Sequence, residues 1–243
     1  SPEPQQRPRL SLLMHIKTAA LTRRHHRSLR ARQGTAGFKA RTVHERQRMF
    51  QVRIHGRGGQ GVVTGAEMLS IAAFLGGRHA KAIPSIGSDR TGAPVVEFCR
   101  LDDKEIRLRE PIMQPDALII QDATLLHQVD VFSGLKKDGY ILINTTRTFE
   151  ALGLGEFARD FRPERLLTVP ASELAMKHVG RPVPNVPLLG AFAALGGLIS
   201  LDAVQAAIRE KFKGAVAQGN MDAAREAYEI VMEQEKKAEA HHA

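Results

Sequence analysis

Ile54-His55-Gly56-Arg57-Gly58-Gly59-Gln60-Gly61-Val62-Val63-Thr64-Gly65 places four glycines within six residues, between two stretches of different periodicity. Ahead of it, Phe50, Val52 and Ile54 alternate with Gln51, Arg53 and His55, the two-residue period of a strand. Behind it, Val63, Ala66, Met68, Leu69, Ala72, Ala73 and Leu75 recur at helical spacing. The glycines therefore fall at a strand-to-helix corner, where a residue without Cβ tolerates positive φ and lets a ligand or another backbone come close. The amides that open a helix lack intrahelical partners, so this corner suits an anion.

Gly56, Gly58 and Gly61 also match the Gly-x-Gly-x-x-Gly dinucleotide fingerprint. That fingerprint expects an acidic residue about 20 positions further on, at the end of the second strand, to hold a ribose hydroxyl. Residues 77–83 offer Arg78 and Lys81 there instead, which suit at most a phosphorylated ribose. A tight turn that packs a helix on a sheet, with no ligand, is the plain alternative.

Further along, Ala80-Lys81-Ala82-Ile83 reads as a short second strand leading into the polar loop 84–94. Residues 95–100 and 105–108 are strand-like, with a hairpin turn at Leu101-Asp102-Asp103-Lys104 between them. Ala117-Leu118-Ile119-Ile120 and Tyr140-Ile141-Leu142-Ile143 are continuous apolar runs of the kind found in parallel strands covered on both faces. Asp122 follows the first run and Asn144 the second, at the carboxyl ends where open α/β sheets place ligands. Helices are expected over 125–134, 171–178, 188–198, from Ser200 as a cap, and over 221–235 with Asn220 as a cap. The order of elements predicts an α/β, Rossmann-like layered domain with a mainly parallel sheet.

Charge divides the chain unevenly. Residues 1–48 carry 12 of the 35 Lys and Arg but only Glu3 and Glu45 among the 26 acidic residues, so the remainder is close to neutral. The expected organisation is a basic extended arm over 1–48 and an α/β domain over 49–243. With few large apolar groups, the arm cannot offset the entropy of ordering through a core of its own. An acidic surface of a partner subunit is the preferred ligand for it; an organelle presequence and a nucleic-acid tract rank lower. The near-neutral domain has no recognisable nucleic-acid motif, so no nucleic-acid partner is expected. Nothing approaches the ~18 consecutive apolar residues of a membrane helix, and a cytoplasmic protein without membrane contact is expected.

Cys99 is the one cysteine and lies in an apolar run, which excludes internal disulfides and cannot supply the roughly four thiolates of an iron–sulfur cluster. His127 has no partner at metal spacing, and no metal ligands are assigned.

Three segments together carry a family resemblance: Gly56-Arg57-Gly58-Gly59-Gln60-Gly61, then Pro84-Ser85-Ile86-Gly87-Ser88-Asp89-Arg90-Thr91-Gly92-Ala93-Pro94-Val95, then Asp116-Ala117-Leu118-Ile119-Ile120. With the later Asn185-Val186-Pro187-Leu188-Leu189-Gly190-Ala191, the chain from about 50 to 228 resembles the gamma subunit of the 2-oxoacid:acceptor oxidoreductases, the pyruvate:ferredoxin oxidoreductase type. The resemblance implies a subunit of a larger enzyme that oxidatively decarboxylates a 2-oxoacid to an acyl-CoA and passes electrons to ferredoxin or another acceptor. It implies thiamine diphosphate and iron–sulfur clusters on partner chains, namely alpha, beta and ferredoxin-like subunits. Coenzyme A, the co-substrate, is then expected to place phosphate groups against this chain. Carried over by motif, Gly56, Gly58, Gly59, Gln60, Gly61 and Thr64 form the cradle, and Arg90, Thr91 and Gly92 form the facing loop. No catalytic residue is assigned. The alternative is a stand-alone NADP- or nucleotide-binding oxidoreductase or regulatory module.

Overall fold

A computed structural model of the chain describes residues 49–85, 91–195 and 197–241; the basic arm expected over 1–48 and the candidate Arg90 lie outside the described residues. Six strands form one sheet: β1 (Phe50–Arg57), β2 (His79–Ile83), β3 (Pro94–Asp102), β4 (Ala117–Ile120), β5 (Tyr140–Asn144) and β6 (Leu166–Val169), in the spatial order β2-β3-β1-β4-β5-β6. β1, β4, β5 and β6 pair in parallel, whereas β3 runs antiparallel to both β1 and β2. The sheet is thus mainly parallel, with one antiparallel strand inserted beside β1.

Helices are α1 (Val62–Leu75), the single turn α2 (Gly155–Ala158), α3 (Ala171–Val179), α4 (Asn185–Ala194), α5 (Leu201–Lys211) and α6 (Gly214–His241). Because successive side chains of a strand point to opposite faces, Phe50, Val52 and Ile54 of β1 enter one core with Ile119, Leu142 and Leu167. Buried residues of α1, α3, α4, α5 and α6 complete that core, and all ten residues of α4 are buried within it. Each fully buried Leu or Ile there contributes about 2 kcal/mol of transfer free energy. On the other face, Ile120, Ile141 and Ile143 pack with Leu125, Val131, Phe149 and Leu152 from the β4–β5 and β5–β6 connections.

Several sequence expectations are corrected. Residues 105–108 form no strand: Ile106 is buried and its carbonyl accepts from Lys81 Nζ at 3.4 Å, while Leu108 is 46% exposed. The helix expected over 125–134 is only a 3-10 turn at Ala123–His127. Beyond Val129 the helical ladder breaks, with the Val131 amide bonded to the Val129 carbonyl at 2.9 Å, and the carbonyls of Val131 and Ser133 accept from Arg53 Nη2 at 2.8 and 2.7 Å. α4 begins three residues before expectation and ends at Ala194. α6 begins at Gly214, so Asn220 lies inside it and donates to the Val216 carbonyl at 2.9 Å. Ser200 caps α5 as expected, accepting from the Ala203 amide at 3.1 Å. Asp102 supplies turn chemistry, accepting from the amides of Asp103 and Lys104.

Candidate functional site

The carboxyl ends of β1, β4 and β5 lie at one edge of the sheet, and β3 begins at that same edge because it runs the other way. The glycine turn that follows β1 therefore meets the segment that precedes β3. Gly58 donates to the Ala93 carbonyl at 3.0 Å and accepts from the Gly92 amide at 2.9 Å, a parallel bridge with Thr91. Gly59 and Gly61 have φ of +92° and +72°, values that other residues rarely adopt. Gly61 caps α1 in the left-handed conformation without a side-chain hydrogen bond, and the first turn of α1 holds no acidic residue.

That geometry leaves a set of backbone donors. The Gly58 amide is taken by Ala93 and the Gln60 amide by the Arg57 carbonyl at 3.0 Å. Among the described residues, the amides of Gly59, Gly61, Val62, Val63 and Thr64 meet no protein acceptor. The first four of these border a hollow of about 270 Å³ lined by Arg57, Gly58, Gly59, Gly61, Val62, Val63 and Val95. The partial positive charge of a helix start favours an anion here.

A polar clamp fixes the turn from below. Gln60 Oε1 accepts from the Arg57 amide at 2.8 Å, and Gln60 Nε2 donates to Asp122 Oδ2 at 2.9 Å. Arg57 donates from Nε to the same Asp122 oxygen at 3.0 Å, from Nη1 to the Gly92 carbonyl at 3.1 Å, and from Nη2 to Thr124 Oγ1 and Gln128 Oε1 at 2.9 and 2.8 Å. Asp122 Oδ1 accepts from the Thr124 amide and hydroxyl at 2.9 and 2.6 Å. Burial pushes the Asp122 carboxyl upward, but hydrogen bonds from Thr124 and Gln60 and the Arg57 charge outweigh it and hold its pKa below the usual carboxylate value.

Of the nine residues singled out from sequence, the eight that the structure describes do not act alike. Gly58, Gly59 and Gly61 line the hollow, and Thr91 and Gly92 stand exposed across the Gly58 bridge. Gly56 points into the fold: a Cβ there would lie 2.6 Å from Val62 Cγ2. Gly61 is also pressed from behind, where a Cβ would fall 2.5 Å from Asn185 Nδ2. Gln60 spends both ends of its amide inside the clamp, and Thr64 sits half-buried in the first turn of α1. Sequence reasoning assigned no site role to Arg57 or Asn185 and located Asp122 only by its position at the ligand-binding edge of the sheet. Asn185 donates to the Gly61 carbonyl at 3.2 Å and joins the start of α4 to the start of α1. The position of Asp122 at the end of an apolar strand was a usable signal; its pairing with Arg57 across 65 residues was not.

The topology also bears on the dinucleotide fingerprint. In a dinucleotide fold β1 and β2 are parallel neighbours, but here β3 separates them. Arg78 pairs with Asp103 at 3.1 Å, and Lys81 is engaged by the Ile106 carbonyl. Cys99 is fully buried and burial pushes its thiol up to about 12, which removes it as a nucleophile at neutral pH.

Comparison with known proteins gives concordant matches. Residues 51–230 match the family described as pyruvate ferredoxin/flavodoxin oxidoreductase. The chain is 42% identical over 181 residues to the pyruvate/ketoisovalerate oxidoreductases common subunit gamma of Pyrococcus abyssi, covering 74% of this chain and 96% of that one. It is 50% identical over 161 residues to pyruvate synthase subunit PorC of Methanosarcina barkeri, covering 66% and 85% respectively. Among solved structures, the pyruvate oxidoreductase subunit PORC of Thermotoga maritima superposes with a TM-score of 0.64 at 33% identity, covering 76% of this chain and 97% of that chain.

Proposed function

From the premise that this chain belongs to the pyruvate ferredoxin/flavodoxin oxidoreductase family as a gamma subunit, we propose that its glycine turn receives phosphate groups of coenzyme A within the assembled enzyme. The complex converts a 2-oxoacid, coenzyme A and an oxidised acceptor to an acyl-CoA, carbon dioxide and the reduced acceptor. Thiamine diphosphate, held by partner subunits, supplies the carbon chemistry when bound, and clusters on partners carry the two electrons. Alpha, beta and ferredoxin-like chains are the partners this reading requires.

The role left to this chain is binding and orientation. One observation carries it: four backbone amides, those of Gly59, Gly61, Val62 and Val63, meet no acceptor among the described residues and border an open hollow at a helix start, in a turn whose positive-φ glycines leave no side chain in the way. Phosphate oxygens fit such donors because they accept several hydrogen bonds at once and gain from the aligned peptide dipoles. Thr91 and Gly92 form the opposite lip.

Gly58→Val in the purified complex tests the reading. The substitution keeps the amide that Ala93 accepts from and adds a branched side chain beside the hollow. KM for coenzyme A should rise roughly tenfold or more, equivalent to about 1.4 kcal/mol of lost binding, with KM for the 2-oxoacid unchanged. An unaltered KM for coenzyme A would remove the phosphate assignment.

A further inference from the structure

The cation nearest the glycine turn is spent inside the fold. Arg57 has five N–H donors, and four of them are committed to Asp122, the Gly92 carbonyl, Thr124 and Gln128. Its charge is matched at 3.0 Å by Asp122, whose side chain is itself only 15% exposed. Each Asp122 oxygen accepts two hydrogen bonds, so this carboxylate has no place for a ligand hydroxyl. An arginine and an aspartate so placed add almost no net charge to the hollow.

What they do is join three separate loops. Arg57 and Gln60 belong to the glycine turn, Gly92 to the segment before β3, and Asp122, Thr124 and Gln128 to the exit from β4. Gln60 cannot turn outward without abandoning both Asp122 and the Arg57 amide, and its placement fixes the peptide between Gly58 and Gly61. We propose that Asp122 is a positioning residue of the anion site, acting through Gln60 and Arg57 to hold the turn's amides convergent. The inference rests on the phosphate reading above and deepens it: recognition comes from fixed backbone dipoles, and the ion pair pre-orders them.

Neutralisation of Asp122 is disruptive for a specific reason. In Asp122→Asn one former acceptor becomes an NH2 group, which must face either the Arg57 and Gln60 donors or the Thr124 donors. Half of the clamp is lost whichever way the amide turns. Arg57→Lys keeps the charge and loses the planar fork that reaches three loops at once.

The experiment measures calorimetric Kd and steady-state KM for coenzyme A, and KM for the 2-oxoacid, in complexes carrying Asp122→Asn, Arg57→Lys and the double substitution. Each single variant should weaken coenzyme A roughly tenfold, the scale of a hydrogen bond to a charged group. KM for the 2-oxoacid and kcat at saturating coenzyme A should stay within about twofold. The double variant should resemble the worse single variant, because both remove one coupled unit. Equal losses in kcat and in both KM values would mark a purely structural role and overturn the proposal, as would a double variant showing the product of the single effects. Thr124→Val, at an exposed position, decides the matter if Asp122→Asn fails to assemble; it removes two clamp bonds and should raise the Kd for coenzyme A severalfold, and no change would refute the clamp. If Gly58→Val weakens coenzyme A and the clamp variants do not, only the positioning role falls. If none of them does, the phosphate reading itself falls.

Discussion

Arg53 donates from Nε to His55 Nε2 at 3.1 Å, on the face of β1 opposite α1, where the two side chains are 7% and 8% exposed. The imidazole must be unprotonated to accept that bond. Burial, reinforced by the Arg53 charge, lowers the His55 pKa to about 4. In the unfolded chain the same group binds its proton near its ordinary value of about 6.5, so the unfolded state takes up protons first on acidification. Stability is therefore whole above about pH 6.5 and falls as pH drops towards 4, by up to about 3 kcal/mol for this one group. Urea midpoints of the wild-type chain between pH 7.5 and pH 4.5 should decline more steeply than those of His55→Gln, whose amide oxygen still accepts from Arg53. Parallel pH profiles would contradict the assignment.

Close approach is a second source of sensitivity. A Cβ at Gly190 would fall 2.0 Å from the Ala224 carbonyl oxygen, and one at Gly61 would fall 2.5 Å from Asn185 Nδ2 at a φ of +72°. Gly190→Ala must force α4 and α6 apart and should destabilise the fold by about 3 kcal/mol. Gly61→Ala, strained in the backbone and pressed by a side chain, should cost about 2 kcal/mol. Thermal melts of both variants beside Gly92→Ala, where an added Cβ meets no atom within 4 Å, should rank them in that order, with Gly92→Ala mildest.

Cys99 gives a chemical probe of the same core. With the thiol fully buried and its pKa near 12, iodoacetamide should label the native chain no faster than the chain unfolds. Rapid labelling at neutral pH without loss of structure would show that β3 is open to solvent.

How much of this was legible in the residues follows from how local each feature is. The corner between β1 and α1 was legible because two periodicities abut there, and β4 and β5 because fully buried strands read as continuous apolar runs. Ser200 was legible as a cap because capping is settled within three residues. Partnerships across long separations were not. Asn220 read as a helix cap, yet it lies inside α6, and the glycine before it is set by packing, since a Cβ at Gly219 would stand 2.3 Å from the His178 carbonyl oxygen. After the short 3-10 turn the chain that was expected to stay helical lies against β1 instead, where the carbonyls of Val131 and Ser133 accept from Arg53, nearly 80 residues earlier. In the site, glycine spacing pointed to the turn, but its division into packing glycines and hollow-lining glycines depends on Val62, Gln121 and Asn185, which only the folded chain brings near.

The central claim is that backbone amides at the start of α1 meet coenzyme A phosphates, and amide hydrogen exchange of the assembled complex reads those amides directly. Saturating coenzyme A should slow exchange across residues 59–64 and leave α5 and the middle of α6 unchanged. Exchange at 59–64 that is identical with and without coenzyme A, at concentrations where the complex turns over, would contradict the account.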